Sequence, residues 1–379
     1  MSVYFDHNAT TPLDARVLDA MMPYLKEHYG NASSRHEHGR HARKALDEAR
    51  EKIAAAVNAH PSQVILVSGG SEANNLAIKG AAGCLKPSQV LISAVEHPCV
   101  AKSARELGAS GWRVRTLVVD AEGRVEADDL TAALREPTAL VSVMLANNET
   151  GVLQDLRGVA QQARAAGAWV HTDAVQAVGK IAVDFDALGV HALSFSAHKM
   201  HGPKGAAALI VDKRLELRPQ IVGGLHEKGL RAGTENVAAI VGFGAACELA
   251  VQRLQRTTEL RGLRERLEAG LEEMGAEVFG AAAERLPNTS YFAFPGVDGE
   301  TLVMALDRAG FAVASGSACS SGNADPSSTL LAMGVPADLA RGALRVSFGR
   351  DNSLEQVDAF LATLSGELSR FTRMAALAV

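Results

Sequence analysis

The chain has 379 residues, of which 47% are hydrophobic and 21% are charged, as in folded proteins and unlike disordered ones. Its formal net charge of −5 gives no electrostatic basis for binding nucleic acid or an anionic membrane. No run approaches the roughly 18 apolar residues of a membrane span, and the N-terminus has no secretory signal pattern, so we expect a cytoplasmic protein.

The predicted elements between about residues 60 and 212 are short apolar strands that alternate with amphipathic helices. Such alternation favours a mostly parallel sheet covered by helices on both faces. The predicted strands are VILVSG (64–69), VLIS (90–93), VRTLVV (114–119), ALVSVML (139–145), AWVHTD (168–173), ALSFS (192–196) and AAALIV (206–211). Ligands bind such sheets beyond the carboxyl ends of the strands. This rule selects the segments 68–71, 146–151, 173–176 and 196–199.

The first of these segments lies in SGGSEANN (68–75), where a glycine turn opens a predicted helix. Free N–H groups at a helix start, together with the Ser71 hydroxyl, are suited to binding a phosphate. The pattern is neither a P-loop nor GxGxxG, so it does not support a nucleotide-binding fold. A plain turn with a serine cap is the alternative. His97, after the next strand, is either structural or able to stack on a planar cofactor.

Two later segments carry a carboxylate and a lysine. In AWVHTDAVQ, Asp173 ends a strand and either caps a helix or holds the protonated ring nitrogen of pyridoxal phosphate. In SFSAHKMHGPKG (194–205), Lys199 follows a buried-looking strand. There a lysine can lose its proton and form a Schiff base with an aldehyde, although a solvated basic turn is the alternative. The positions proposed for phosphate binding, ring stacking, the ring nitrogen and the Schiff base follow successive strands. A chance arrangement of these residue types is therefore the weaker explanation.

The four cysteines are scattered and form no CxxC pair, which indicates neither a zinc site nor a disulfide framework. Cys319 lies in ASGSACSSGNADPS (314–327), a glycine- and serine-rich segment in which we expect an exposed and reactive thiol. Ordinary packing roles are predicted for the other three, Cys84, Cys99 and Cys247. Arg345 lies in a strand-like alternation, where its guanidinium could bind a carboxylate through two N–H groups.

The histidine-rich stretch RHEHGRHAR (35–43) does not indicate a metal site. Its three histidines, His36, His38 and His41, have mixed spacings, and nothing in the stretch completes a ligand set. We interpret it as a solvated helix start or as the wall of a substrate entry.

Motifs spread over nearly the whole chain, from about Tyr4 to Arg350, carry a family resemblance. They are YFDHNATTPLDARVLDAM, GNASSRHEHGRHA, SGGSEANNLAIKG, NNETGVLQD, HTDAVQ, SFSAHKMHGPKG, RAGTENV and SGSACSSG. Together they resemble the cysteine desulfurases, which are pyridoxal-phosphate enzymes of the class V aminotransferase family. The segment between Cys319 and Pro326 is similar in length to that of the housekeeping and nitrogen-fixation branch.

The resemblance implies a homodimer with the aspartate-aminotransferase-like α/β fold, which is fold type I of the pyridoxal-phosphate transferases. A mostly parallel central sheet would form a large cofactor-binding domain over residues 16–253. A smaller α+β domain, from residues 1–15 and 254–379, would carry the cysteine segment. A long helical stretch over 237–274 would connect the two domains.

The resemblance also implies which residues surround the cofactor ring. Lys199 would bind the cofactor covalently and later act as a base, while Asp173 would hold the ring nitrogen. Gln176 would face the ring hydroxyl, and His97 would stack on the ring and move protons.

Other positions would bind the phosphate and the substrate. The phosphate would be held by Gly70, Ser71, Ser196 and His198. Thr234 would reach the phosphate of the neighbouring subunit, so the site would need a dimer. Asn147 would contact the cofactor and, with Arg345, the substrate carboxylate.

The implied activity is that of an L-cysteine desulfurase. Cys319 would take the sulfur of L-cysteine as a persulfide, leave L-alanine, and pass the sulfur to an iron–sulfur scaffold or a sulfur carrier. A selenocysteine lyase or another pyridoxal-phosphate β-elimination enzyme is the alternative. A non-catalytic protein of the same fold would lack Lys199 or Asp173, and a nucleotide-binding oxidoreductase would need a glycine fingerprint.

Overall fold

The computed structural model describes residues 2–315 and 325–377, with side chains as far as residue 371. The predicted thiol residue Cys319 lies outside the described residues. The described strands are β1 (Val3–Tyr4), β2 (Val64–Val67), β3 (Gln89–Ser93), β4 (Arg113–Leu117), β5 (Thr138–Ser142), β6 (Trp169–Asp173), β7 (Ala192–Ser196), β8 (Ala207–Val211), β9 (Glu277–Val278), β10 (Thr289–Ala293), β11 (Phe311–Ala312), β12 (Ala314–Ser315) and β13 (Leu344–Ser347).

The described helices are α1 (Ala15–Lys26), α2 (Glu37–Ala55), α3 (Gly70–Asn75), α4 (Pro98–Glu106), α5 (Ala127–Ala133), α6 (Leu156–Ala165), α7 (Phe185–Leu188), α8 (Val237–Arg253), α9 (Thr257–Glu273), α10 (Gly299–Arg308), α11 (Ser328–Ala332), α12 (Ala337–Arg341) and α13 (Leu354–Leu377). A π-helical turn, Leu76–Gly80, continues α3. Short 3₁₀ turns form at Pro61–Gln63, Leu107–Ser110, Ala197–Lys199, His226–Gly229 and Leu254–Arg256.

The large sheet has seven strands in the order β2-β8-β7-β6-β5-β3-β4, and each of them was predicted from an apolar run. β8 is antiparallel to β2 and β7, whereas the other neighbouring strands are parallel. Every residue of β2, β3, β7 and β8 is buried, as expected for a sheet covered on both faces. The predicted α/β architecture is confirmed.

The order of the strands reverses between β3 and β5. After β3 the chain adds β4 at the outer edge, and it then returns to place β5, β6 and β7 on the other side of β3. In open α/β sheets the crevice at such a reversal binds ligands, because the loops on its two sides diverge. The segments that follow β3, β5, β6 and β7 are therefore expected to meet at one place.

α8 is a long apolar helix that contributes to the main core. The stretch Val237–Glu273, which includes it, is long and apolar enough by composition to cross a membrane, and half of its most apolar window is buried inside the protein. Core helices satisfy the same criterion. α8 packs against α1 and α2, and its Phe243, Ala246 and Cys247 are fully buried in the main core. Its hydropathy is therefore explained by its place in the core.

A second, antiparallel sheet has the order β12-β13-β10-β9. It shares a separate core with α9, α10 and α13, and that core contains Phe292, Phe348 and Phe360. Phe5 joins this core from the N-terminal segment, and β1 pairs with β11 in parallel. The division into a domain over 16–253 and one over 1–15 and 254–379 stays a prediction.

Candidate active site

The segments that follow the strands of the large sheet meet around a cavity of about 360 Å³. This cavity lies at the reversal between β3 and β5, where the strand order predicts a ligand site. Eight of the predicted site residues line it, namely Gly70, Ser71, His97, Asp173, Gln176, His198, Lys199 and Arg345. Residues more than 270 positions apart in the chain thus contribute to one site.

Lys199 ends the 3₁₀ turn that follows β7, and its side chain extends into the cavity. Its Nζ donates hydrogen bonds to the backbone carbonyl oxygens of Asn8 and Ala9, the latter at 2.9 Å. Burial and the nearby Arg345 guanidinium lower the pKa of Lys199 to about 8. A substantial fraction of this amine is therefore neutral at physiological pH, which is the form that attacks carbonyl groups.

In the cofactor-free protein, we expect acylation of Lys199 to rise with pH and to reach half of its maximum near pH 8. The pKa of an ordinary lysine is about 10.4. Burial lowers the pKa, and with it the midpoint of acylation, because it disfavours the ammonium form. Short pulses of acetic anhydride across the pH range, with peptide mass spectrometry, would measure this midpoint. A midpoint above pH 10 would contradict the expectation.

Asp173 is the last residue of β6, and its carboxylate is buried in the cavity wall. Its Oδ1 accepts the Val175 N–H at 2.9 Å, and its Oδ2 accepts an Asn74 N–H at 2.6 Å. Burial raises the pKa of Asp173. A buried carboxylate of this kind is stabilised by a cationic partner, and a protonated ring nitrogen would be one. A turn follows Asp173, so the alternative role as a helix cap is not seen.

The start of α3 forms one wall of the cavity. No side chain caps this helix end, so its N–H groups remain suited to an anion. A Cβ on Gly70 would lie 2.8 Å from the Val175 side chain, which explains the need for glycine. From the other side His198 faces the cavity, with its Nδ1 3.1 Å from the Thr10 hydroxyl. Burial and the charge of Lys199 lower the pKa of His198 to about 4, so its ring is neutral at pH 7.

Two of the residues predicted to bind the phosphate do not line the cavity within a single chain. Ser196 is buried at the end of β7, where its hydroxyl lies 3.5 Å from the carbonyl oxygen of Ala206. Thr234 is exposed in the loop before α8. Its role toward a neighbouring subunit stays a prediction.

Asn147, predicted to contact the cofactor and the substrate carboxylate, does not line the cavity. Asn147 is only 1% exposed, and its side chain holds the loop after β5 together. Its Oδ1 accepts the N–H groups of Glu149 and Thr150 at 2.8 and 2.9 Å, and its Nδ2 donates to the carbonyl oxygen of Val95 at 3.1 Å. The next residue, Asn148, is the one that lines the cavity.

Arg345 reaches the cavity from β13 in the second sheet. Its Nη2 donates to Asp6 at 2.7 Å, and its Nη1 donates to the backbone carbonyl oxygen of Asn148 at 2.8 Å. The guanidinium side chain is 11% exposed, and its Nε has no hydrogen-bond partner among the described residues. A cation held in this way is suited to binding a substrate carboxylate.

Sequence reasoning also missed Asn8 and Cys99 in the cavity wall and Lys180 next to it. Asn8 accepts hydrogen bonds from Lys199 and Gln176 through its backbone carbonyl oxygen, and from Lys180 through its side-chain oxygen. Lys180 is buried and also donates to Gln176 at 2.6 Å. The sequence did contain one indication that Lys180 is buried, because it is a single lysine in the apolar run AVGKIAV. Cys99, predicted to be an ordinary packing residue, lies in the cavity wall, and its sequence carried no signal.

These residues fit pyridoxal phosphate. The cavity offers an amine of lowered pKa, a buried carboxylate and an uncapped helix start, which match the aldehyde, ring nitrogen and phosphate of that cofactor. Gln176, whose Nε2 donates to the backbone carbonyl oxygen of Asn8 at 2.9 Å, also lines the cavity. No group of three His, Cys, Asp or Glu side chains in the described part of the chain is arranged to hold a metal ion.

Comparisons with known proteins place the chain in a family. It matches the family model described as aminotransferase class-V over residues 3–360. It is 45% identical over 372 residues to the cysteine desulfurase IscS of Dictyoglomus turgidum, which covers 96% of this chain and 93% of that protein. It is 43% identical over 379 residues to a cysteine desulfurase of Gluconacetobacter diazotrophicus, with coverage of 98% and 95%.

Solved structures agree in fold. A NifS-like protein superimposes with a TM-score of 0.92 at 37% identity, covering 97% of this chain and all of that one (100%). A structure described as SspA in complex with cysteine has a TM-score of 0.81 at 32% identity, with coverage of 92% and 99%. Enzymes of this kind depend on pyridoxal phosphate. With the family model and these relatives spanning nearly its whole length, the chain belongs to the class V aminotransferases and, among them, to the cysteine desulfurases.

Proposed function

We propose that this protein removes the sulfur atom of L-cysteine and holds it as a persulfide on Cys319. The Cβ–S bond of the substrate breaks, an S–S bond forms on Cys319, and the Cβ atom gains a proton. One L-cysteine and one thiol thus give one L-alanine and one persulfide, without any external oxidant or reductant. The relatives described above are named cysteine desulfurases, so a selenocysteine lyase or another β-elimination enzyme is not favoured.

The cavity that unites Lys199, Asp173, His97 and Arg345 is the observation that carries this proposal. Pyridoxal phosphate, when bound, supplies an electron sink that makes bond breaking at the substrate feasible. Lys199 would hold the cofactor, and its free amine, whose pKa is lowered, would serve as a base that moves a proton. Asp173 would hold the ring nitrogen in its protonated form, because a cation beside this carboxylate would offset the burial that raises its pKa.

The substrate carboxylate would bind at the side of the cavity formed by Arg345 and Asn148. Arg345 supplies the positive charge, and its bond to the Asn148 backbone ties the two residues together. A second hydrogen bond, from the Asn8 side chain to the same carbonyl oxygen at 3.2 Å, fixes the loop further. The proposed carboxylate site would thus combine Arg345 from β13 of the second sheet with Asn148 from the loop after β5 of the large sheet.

The proposed function is tested by incubating the purified protein with L-cysteine and a thiol reductant. We expect equal amounts of L-alanine and sulfide, because each turnover releases one of each. A parallel assay with L-selenocysteine gives the ratio of the two rates. Pyruvate and ammonia in place of L-alanine would instead indicate β-elimination and would contradict the proposal.

Asn148→Ala and Asn147→Ala are expected to have different effects. Asn148→Ala should raise KM for L-cysteine by roughly 5- to 30-fold, because one or two hydrogen bonds to the substrate are lost. Its free energy of unfolding should change little. Asn147→Ala leaves buried N–H groups unpaired and should lower the free energy of unfolding by about 1–3 kcal/mol. Steady-state kinetics and urea unfolding of both variants separate the two roles. The reverse pattern would restore the original assignment to Asn147.

Three further features belong to this proposal. The persulfide sulfur passes to an acceptor protein, either an iron–sulfur scaffold or a sulfur carrier. The working form is a homodimer, in which the exposed Thr234 of each subunit binds the phosphate of its neighbour. We expect the protein to act in the cytoplasm.

A further inference from the structure

A chain of hydrogen bonds connects two of the groups proposed to contact the cofactor ring. The Asn74 Nδ2 lies 2.6 Å from the Asp173 carboxylate and 3.1 Å from the Cys99 Sγ. The Cys99 Sγ in turn lies 2.9 Å from the His97 Nδ1. All four residues line the candidate cavity. The carboxylate proposed for the ring nitrogen is thus linked through a thiol to the imidazole proposed to stack on the ring.

The direction of each bond follows from donor and acceptor chemistry. An amide NH₂ group only donates, so Asn74 gives one hydrogen to Asp173 and the other to Cys99. His97 is the N-cap of α4, and its Nδ1 accepts the backbone N–H of Cys99 at 3.2 Å. Nδ1 is therefore an acceptor, and the thiol proton points toward it. Burial raises the pKa of Cys99 to about 11, so this proton is present at neutral pH.

We propose that Cys99 is a positioning residue. Its thiol, together with its backbone N–H, holds His97 as the neutral tautomer with its proton on Nε2, and the same thiol keeps the Asn74 amide hydrogen-bonded to Asp173. The inference rests on the proposed function for the role of His97, but the bonds that carry it lie within this chain. It assigns Cys99 no part in carrying sulfur. A thiol that remains protonated is a poor nucleophile, which separates Cys99 from Cys319.

Other charged groups also act on His97. Burial lowers the pKa of His97. The charge of Asp173, from β6, favours the protonated ring, whereas that of Lys199, from the turn after β7, disfavours it. Glu96 precedes His97 in the chain, and burial raises its pKa to about 8, so it is mostly neutral at pH 7. Removal of the Cys99 thiol takes away one of the two donors to Nδ1, and the pKa of His97 should then rise.

The experiment is nuclear magnetic resonance of the full-length, cofactor-bound protein with ¹⁵N-labelled histidine. The His97 signal is identified by its loss in His97→Gln. We expect an unprotonated Nδ1 and a protonated Nε2 in the unchanged protein. In Cys99→Ala the pKa of His97 should rise by about half a unit or more, whereas Cys99→Ser, which keeps a donor and an acceptor, should restore most of the original value. Cys84→Ser, at an exposed thiol, is the matched control and should leave His97 unchanged.

An unchanged pKa and tautomer of His97 in Cys99→Ala would overturn the inference, as would a serine variant that behaves like the alanine variant. If Cys99→Ala does not fold or loses the cofactor, Cys99→Val takes its place, because it fills the volume without hydrogen bonding. Failure of the proposed function would appear differently, as absence of L-alanine from L-cysteine with these resonance signals still as expected.

Discussion

Lys199→Ala is expected to lower the rate of sulfide release from L-cysteine by at least about a thousandfold, because the variant loses both a covalent attachment for the cofactor and a positioned base. The amine of Lys199 is held by the backbone of Asn8 and Ala9, and no other lysine reaches the same point of the cavity wall among the described residues. The variant should also lose cofactor on dialysis. Absorption spectra before and after dialysis, together with the rate assay, measure both effects.

Lys204→Ala is the matched control for this prediction. Lys204 lies five residues further along the chain but is exposed and does not line the cavity. Its removal should leave both the rate and the cofactor content close to those of the unchanged protein. Full activity in Lys199→Ala, or an equal loss in Lys204→Ala, would exclude the assigned role of Lys199.

Cys319→Ala is expected to abolish both persulfide and sulfide formation while the bound cofactor keeps its absorption spectrum. The other three thiols are poorly suited to accept sulfur. Cys84 is exposed and outside the cavity, and burial raises the pKa of Cys247. Cys99 is in the cavity, but burial raises its pKa to about 11, so it is not a thiolate at neutral pH.

Mass spectrometry of trapped persulfide distinguishes Cys319 from Cys99, which is the one thiol among the described residues that line the cavity. The extra sulfur mass should appear on the peptide that contains Cys319 and not on the peptide that contains Cys99. Cys84→Ala is the control, and it should retain the full rate. Persulfide found on Cys99, or sulfide release that persists in Cys319→Ala, would show that the sulfur follows another route.

Much of the site could be predicted because it is local in sequence. Gly70, Asp173 and Lys199 each follow an apolar run, and the rule for parallel sheets brings the ends of such runs to one edge. The structure places them around one cavity, as this rule requires. The prediction needed the directions of the strands and not the packing of individual side chains.

Other features of the site depend on side-chain packing, which the sequence does not specify. Asn147 and Asn148 are chemically identical, and only the turn that uses the first for its own hydrogen bonds identifies the second as the cavity residue. Cys99 looked like a packing residue because helical periodicity cannot show that the first turn of α4 faces a cavity. Lys180 is charged, and a charged residue is normally expected at the surface.

The sequence by itself determined the seven strands and the order of the chemical groups along them, because these depend on short-range patterns of apolar and polar residues, and the resemblance of its motifs indicated the family. Only the tertiary structure decided how the groups act on one another. The lowered pKa of Lys199 and the raised pKa of Asp173 come mainly from burial, which no local pattern specifies. The contacts of Asn8 with Lys199, and of Cys99 with His97 and Asn74, depend on distances that exist only after the chain has folded.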